Sequence, residues 1–178
     1  KEGKAVGVDC GYKKLLVSSE NKNYDSGLEK VYEKITRKKQ GSNAFKRSLV
    51  ERDNKINESL NKIELSEIKE IVCEDLKNIK ANTRKERKIR KKFNRKLQRW
   101  SYSKVLNKLS LLTEESGILL TKVNPAYTSQ KCSLCGVVDK NNRQGERYQC
   151  ICGNCLDADY NAAINLSHMG VYSPHVLC

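Results

Sequence analysis

No run of about 18 apolar residues occurs in this 178-residue chain, which excludes a membrane-spanning helix of ordinary length. No basic helix with a continuous apolar face long enough to lie in lipid is present either. The opening stretch KEGKAVGVDCG lacks an apolar signal-peptide core and a cleavage site, so export is not expected. Histidine is scarce: His168 and His175 are the only two, both near the C-terminal end, which rules out an H-E-x-x-H metal site. Neither G-x-x-x-x-G-K-[ST] nor G-x-S-x-G occurs, removing the phosphate-binding loop and the nucleophile elbow. Acids are also short, 21 against 35 Lys and Arg, and the net charge of +14 points to a polyanionic partner, nucleic acid foremost. The length allows one ordinary domain, alone or with a small module.

The eight cysteines do not read as a disulfide framework. Cys10 and Cys73 sit in apolar, strand-like runs, Cys178 is terminal, and the remaining five cluster at metal-ligand spacing, which suits a reducing compartment. Along the chain, AVGVDCG at 5–11 and KKLLVSSE at 13–20 predict a hairpin. Spaced apolar residues from 28 to 65, interrupted by QGSN at 40–43, predict two helical pieces. IKEIVCEDL at 68–76 predicts a buried strand ending in Glu74 and Asp75. Leu97, Trp100, Val105, Leu109 and Leu112 predict a helix packing on the core, GILLTKVNP at 117–125 a turn, strand and stop, and DADYNAAINLSHMG a closing helix from 157 to 170. Between 77 and 99 lie twelve basic residues and one acid, Glu86. That segment, through Lys85, Arg87, Lys88, Arg90, Lys91, Lys92 and Arg95, is the candidate nucleic-acid contact.

Cys132-Ser-Leu-Cys135-Gly136 has the form of a zinc knuckle: two thiolates three residues apart reach one tetrahedral ion, and glycine lets the chain turn beneath them. Its partner is open among Cys150, Cys152 and Cys155. Spacing favours Cys152 with Cys155, giving C-x2-C-x16-C-x2-C. The glycine after Cys152 favours Cys152 as a knuckle residue, whereas Cys155 is followed by Leu156. A fully Cys-ligated zinc has no open position, so the expected role is structural. Two-metal phosphodiester hydrolysis needs carboxylates converging from distant parts of the chain. Asp9 and Glu74 at strand ends are candidates, and either Asp157 or Asp159 at the start of the last helix is the third. Two residues apart on a helix, these two diverge, so one is expected to face the metals and the other to cap the helix.

VGVDCG at 6–11, EIVCEDL at 70–76, NPAYTSQKCSLCG at 124–136 and DADYNAAINL at 157–166 together resemble the TnpB family of transposon-encoded RNA-guided nucleases, related to compact type V CRISPR effectors. The resemblance runs from about residue 5 to residue 167. It implies an α/β, RNase H-like (RuvC-like) domain with an inserted zinc ribbon: a nuclease core over 1–125, the ribbon over 126–156, the final core helix over 157–170 and a tail over 171–178. It places the catalytic triad on Asp9, Glu74 rather than Asp75, and Asp159, holding two Mg²⁺ ions. It also places one structural Zn²⁺ on Cys132, Cys135, Cys150 and Cys152, with Cys155 as the alternate to Cys152. The expected activity is Mg²⁺-dependent DNA endonuclease action in a prokaryotic, nucleoid-associated cytoplasm, on single or unwound strands, with no membrane partner and no small-molecule substrate. The chain starts at the nuclease domain, without the region that in the family holds guide RNA, so guided recognition is expected to be lost. The rival readings are a catalytically silent nucleic-acid-binding module and a strand-transferring transposase.

Overall fold

The computed structural model describes residues 2–24, 27–76 and 101–172. The seven candidate nucleic-acid residues between Lys85 and Arg95 lie outside them, as do Leu97, Trp100, His175 and Cys178. The fold is mixed α/β. Its main sheet has strand order β2-β1-β3-β4, from β1 (Lys4–Asp9), β2 (Val17–Ser18), β3 (Ile68–Glu74) and β4 (Leu119–Val123). β2 is antiparallel to β1, while β3 runs parallel to both β1 and β4. The second strand is shorter than its apolar text suggests. Leu15 and Leu16 are buried, but the chain before them turns, with Gly11 N–H donating to the Lys14 carbonyl.

Alternation divides the two faces of the sheet. Val6, Val8, Ile71 and Cys73 join one apolar core with Val31, Tyr32 and Ile35 of α1 (Leu28–Thr36), Ile56 and Leu60 of α2 (Asn43–Leu60), and Val105, Leu106 and Leu109 of α3 (Tyr102–Glu115). The break between α1 and α2 falls at the QGSN stretch, where the Ser42 side chain caps α2 by accepting from Phe45 N–H. Gly7 and Val72 point to the opposite face, which α4 (Ala158–Ser167) covers with Ala162, Ala163 and Leu166, while Ala158 at its start packs with Cys132, Tyr148 and Cys150. The helix lies so close that a Cβ on Gly7 would stand 2.0 Å from the Ala163 carbonyl oxygen. Only glycine allows that approach.

A second sheet, in order β5-β6-β7, is built from β5 (Arg143–Gln144), β6 (Arg147–Gln149) and β7 (Cys155–Asp157). β7 runs straight into α4, so this small cysteine-bearing module and the helix on the main sheet are joined without a linker. No helix among the described residues is long and apolar enough to cross a membrane.

Candidate active site and metal centre

Parallel pairing of β1 with β3, with Val8 opposite Cys73, brings Asp9 and Glu74 side by side at the C-terminal ends of the two inner strands. By alternation both share the face of Gly7 and Val72, on which α4 lies. Because Gly7 meets Ala163 and Ser167 in the later part of α4, the N-terminal turn of that helix stands over the strand ends, and Asp159 comes with it. The carboxylate oxygens of Asp9, Glu74 and Asp159 are not all within 4.8 Å of one another, but their charges still act on one another. Burial first, then the charges of Glu74 and Asp159, push the Asp9 carboxyl up from its ordinary value of 3.8 to about 7, against the pull of Arg143. Burial also raises Glu74, against a hydrogen bond donated by the Thr128 hydroxyl and the charge of Arg143.

The two aspartates at the start of α4 have different jobs. Asp157 is the N-cap, its side chain accepting from Asp159 N–H at 3.0 Å and Tyr160 N–H at 3.2 Å. Partial burial would raise Asp157, but hydrogen bonding from Lys14 and from these amides holds it below the ordinary carboxylate range. Asp159, 18% exposed, is the one directed to the acid group; its Oδ1 accepts from Arg143 Nη2 at 2.8 Å, and Lys14 Nζ stands 3.7 Å from its Oδ2. Arg143 supplies positive charge to Asp9, Glu74 and Asp159, and Lys14 to Asp157 and Asp159. Neither stood out in the sequence, nor did Thr128: each acts across a long sequence separation, and no local periodicity marks such a residue.

Four sulfurs form the second cluster. Cys132, Cys135, Cys150 and Cys152 have ligand atoms all within 4.8 Å of one another, and among the described residues no carboxylate, thiol or imidazole group forms another set as tight. Cys132 Sγ is 3.7 Å from Cys152 Sγ, and Cys135 Sγ is 3.6 Å from Cys150 Sγ. Those separations are far too long for a disulfide, at about 2 Å. They match the edge of a tetrahedron whose sulfurs lie about 2.3 Å from a central ion, roughly 3.8 Å. Burial opposes ionisation of Cys132, but amide N–H groups of Cys135 and Leu134 and the Asn154 side chain win and draw its thiol down. Gly136 and Gly153, each following a knuckle cysteine, have φ of 77° and 90°, the left-handed region that glycine tolerates. Cys155 is exposed and lies outside the group, drawn into β7 opposite Gln149.

The cysteine module is fastened to α4 by two buried asparagines. Asn161 accepts from Ser133 N–H and donates to the Lys131 carbonyl, and Asn165 donates to the carbonyls of Thr128 and Lys131 at 2.9 and 2.7 Å. One short helix thus carries Asp159 and holds the base of the thiol cluster.

A family model described as Cas12f1-like, TNB domain, matches residues 102–166. The chain is 42% identical over 99 residues to a CRISPR-associated endodeoxyribonuclease Cas12f1 of Sulfoacidibacillus thermotolerans, covering 54% of this chain and 21% of that protein. It is 30% identical over 157 residues to a TnpB-like protein of Methanocaldococcus jannaschii, covering 82% of this chain and 54% of the other. Among solved structures it matches a cryo-EM structure of a Cas12f1-sgRNA-target DNA complex with a TM-score of 0.67 and 26% identity, over 91% of this chain and 49% of that one. The chain spans about half the length of these relatives or less.

Proposed function

From a chain that belongs to the family of TnpB-like proteins and compact type V effectors, we propose a metal-dependent DNA endonuclease domain with a RuvC-like, RNase H-type core and an inserted zinc ribbon. The observation that carries this reading is geometric: β1 and β3 end side by side on Asp9 and Glu74, on the sheet face that α4 covers, and the first turn of α4 bears Asp159. Three carboxylates in partial burial are the donor set of a hard divalent cation, and their mutual repulsion is what such a cation relieves. Asp9, Glu74 and Asp159 would hold the Mg²⁺ ions. The chemistry such ions supply is charge stabilisation at the phosphate and a more acidic bound water. The chain's own part is positional: β1 and β3 fix Asp9 and Glu74, Thr128 orients Glu74, the Asp157 cap fixes the first turn of α4, and Arg143 holds Asp159.

The four-thiol cluster fits a structural Zn²⁺ on Cys132, Cys135, Cys150 and Cys152, closed to substrate. Nucleic acid is the assigned partner. The +14 charge supports it, as does likeness to a protein solved with sgRNA and target DNA.

The test is cleavage of labelled single-stranded DNA with and without Mg²⁺. Wild type should cut only with the metal, and Asp9→Ala should not cut. Equal traces of cutting in both would leave a binding module without catalysis; joined rather than cut products would favour strand transfer.

A further inference from the structure

The turn between α1 and α2 carries charge that the proposed active site does not use. From residue 34 to residue 50 there are six basic residues and no acid. Two are engaged: Lys34 bridges to Glu51 at 2.5 Å, tying the two helices together below the turn, and Arg37 stands 3.9 Å from Glu33. The side chains of Lys38, Lys39, Lys46 and Arg47 have no ion-pair or hydrogen-bond partner among the described residues. Lys39, Lys46 and Arg47 are exposed and Lys38 partly so. Backbone bonds from Lys38 N–H to the Ile35 carbonyl and from Ser42 N–H to the Lys39 carbonyl keep the turn tight, and α1 and α2, which it joins, pack on each other.

The turn end of α2 contributes less to the core than its other end. α2 has 18 residues, about 27 Å of helix, yet its buried residues Ile56, Ser59 and Leu60 fall in the last turns, with Ser48 the one buried side chain nearer the start. Its helices cover the sheet face of Val6 and Val8, whereas Asp9 and Glu74 lie on the α4 face. A ligand gripped here is therefore separated from the carboxylates by the sheet. The chemistry of that ligand follows from what surrounds the cations. The one aromatic in the segment, Phe45, is packed against the core. No ring is offered for bases to stack on, as single-strand surfaces require. Four cations without a stacking platform suit the phosphate ridge of a double helix.

We propose that Lys38, Lys39, Lys46 and Arg47 form a second nucleic-acid surface, which grips the backbone of a double-helical segment on the side of the sheet away from the carboxylates. This rests on the nucleic-acid reading above and adds a site to it. The phosphate ridge is common to duplex RNA and duplex DNA, and the experiment separates them.

In the full chain, all four residues are changed to glutamine, and a charge-matched control carries Lys62→Gln, Lys108→Gln, Lys122→Gln and Lys140→Gln. Binding of duplex RNA, duplex DNA and a single strand is followed by fluorescence anisotropy against salt. Single-strand cleavage is measured on the same proteins. Loss of four phosphate contacts should weaken duplex binding at least about tenfold and flatten the slope of log K against log salt by about 3 to 4. Single-strand cleavage should be unchanged, and the control should bind like wild type. The duplex that loses more affinity is the one held there. Unchanged duplex binding overturns the proposal, as does equal loss in the control or equal loss for the single strand. Absence of cleavage in wild type would defeat the nuclease reading while leaving the binding result to stand. All eight positions are at or near the surface, and unchanged thermal unfolding confirms that the variants fold.

Discussion

Replacing Asp9 with asparagine should stabilise the protein in magnesium-free buffer above neutral pH, although it removes a residue proposed to be catalytic. The folded-state pKa of about 7 stands against an ordinary 3.8. A carboxyl raised by folding favours the folded state while it is protonated, and that benefit is lost as pH rises through the folded value. Wild type should therefore carry no penalty from Asp9 near pH 4. It should lose stability progressively between about pH 4 and pH 7, then level off. The difference between the two pKa values corresponds to about 4 kcal/mol, an upper bound. That is a large fraction of the 5–15 kcal/mol typical of a folded domain.

Asparagine has nearly the same shape and no charge to bury. Urea or thermal unfolding of wild type and Asp9→Asn should coincide near pH 4 and separate by about 2–4 kcal/mol near pH 8. At this chain length, that is a difference of roughly 5–15 °C in Tm. Added Mg²⁺ should narrow the gap by stabilising wild type alone. A gain of the same size at both pH values would show that ionisation is not its source. No gain near pH 8 would refute the argument, because Asp9 would then not be desolvated beside Glu74 and Asp159.

Other perturbations probe the parts separately. Gly7→Ala should cost about 3 kcal/mol or more in urea unfolding, because the new methyl meets the α4 backbone at 2.0 and 2.4 Å and the helix must lift; a neutral result would mean that α4 does not lie on β1. Arg143→Ala should raise the pKa of both Asp9 and Glu74, since the guanidinium lowers each; carboxyl-carbon NMR titration reads this directly, and a fall in either would contradict the placement of Arg143. Native mass spectrometry of Cys152→Ser and Cys155→Ser should show loss of a bound metal ion in the first and retention in the second; the opposite pattern would put Cys155 in the ligand set.

The elements of the fold were legible where the text is periodic or punctuated. Val6, Val8, Ile71 and Cys73 alternate with residues facing the other way, and Ser42 stands at the break between two helices because its hydroxyl can cap. Local text could not rank Cys152 with Cys155 above Cys150 with Cys152, because spacing counts residues and not their direction. β7 settles the geometry by pairing Cys155 with Gln149, which turns that thiol away while Cys150 and Cys152 stay beside Cys132 and Cys135. Glu70 was illegible for a related reason. An acid within a strand reads as solvent-facing, yet Glu70 is fully buried, its oxygens accepting from the Thr121 hydroxyl and the amides of Val171 and Tyr172. Donors some 50 and 100 residues away make that burial affordable, and no window of sequence contains them.

The same limit applies to Arg143, and its position bears on how the two clusters interact. It opens the small sheet of the cysteine module, yet its guanidinium sits on Asp159, whose helix is in turn bonded through Asn161 and Asn165 to the base of that module. The module is therefore attached to α4 twice, once by buried amide hydrogen bonds and once by an ion pair between part-buried groups. A bound ion on the four sulfurs would fix the chain from Cys132 to Cys152, and with it the strand that presents Arg143. Opening the sulfur cluster should then loosen Arg143 before it disturbs β1 or β3, whose pairing lies in the other sheet. The sign of the effect at Asp9 follows: less positive charge near the carboxylates means a higher pKa, the same direction as Arg143→Ala.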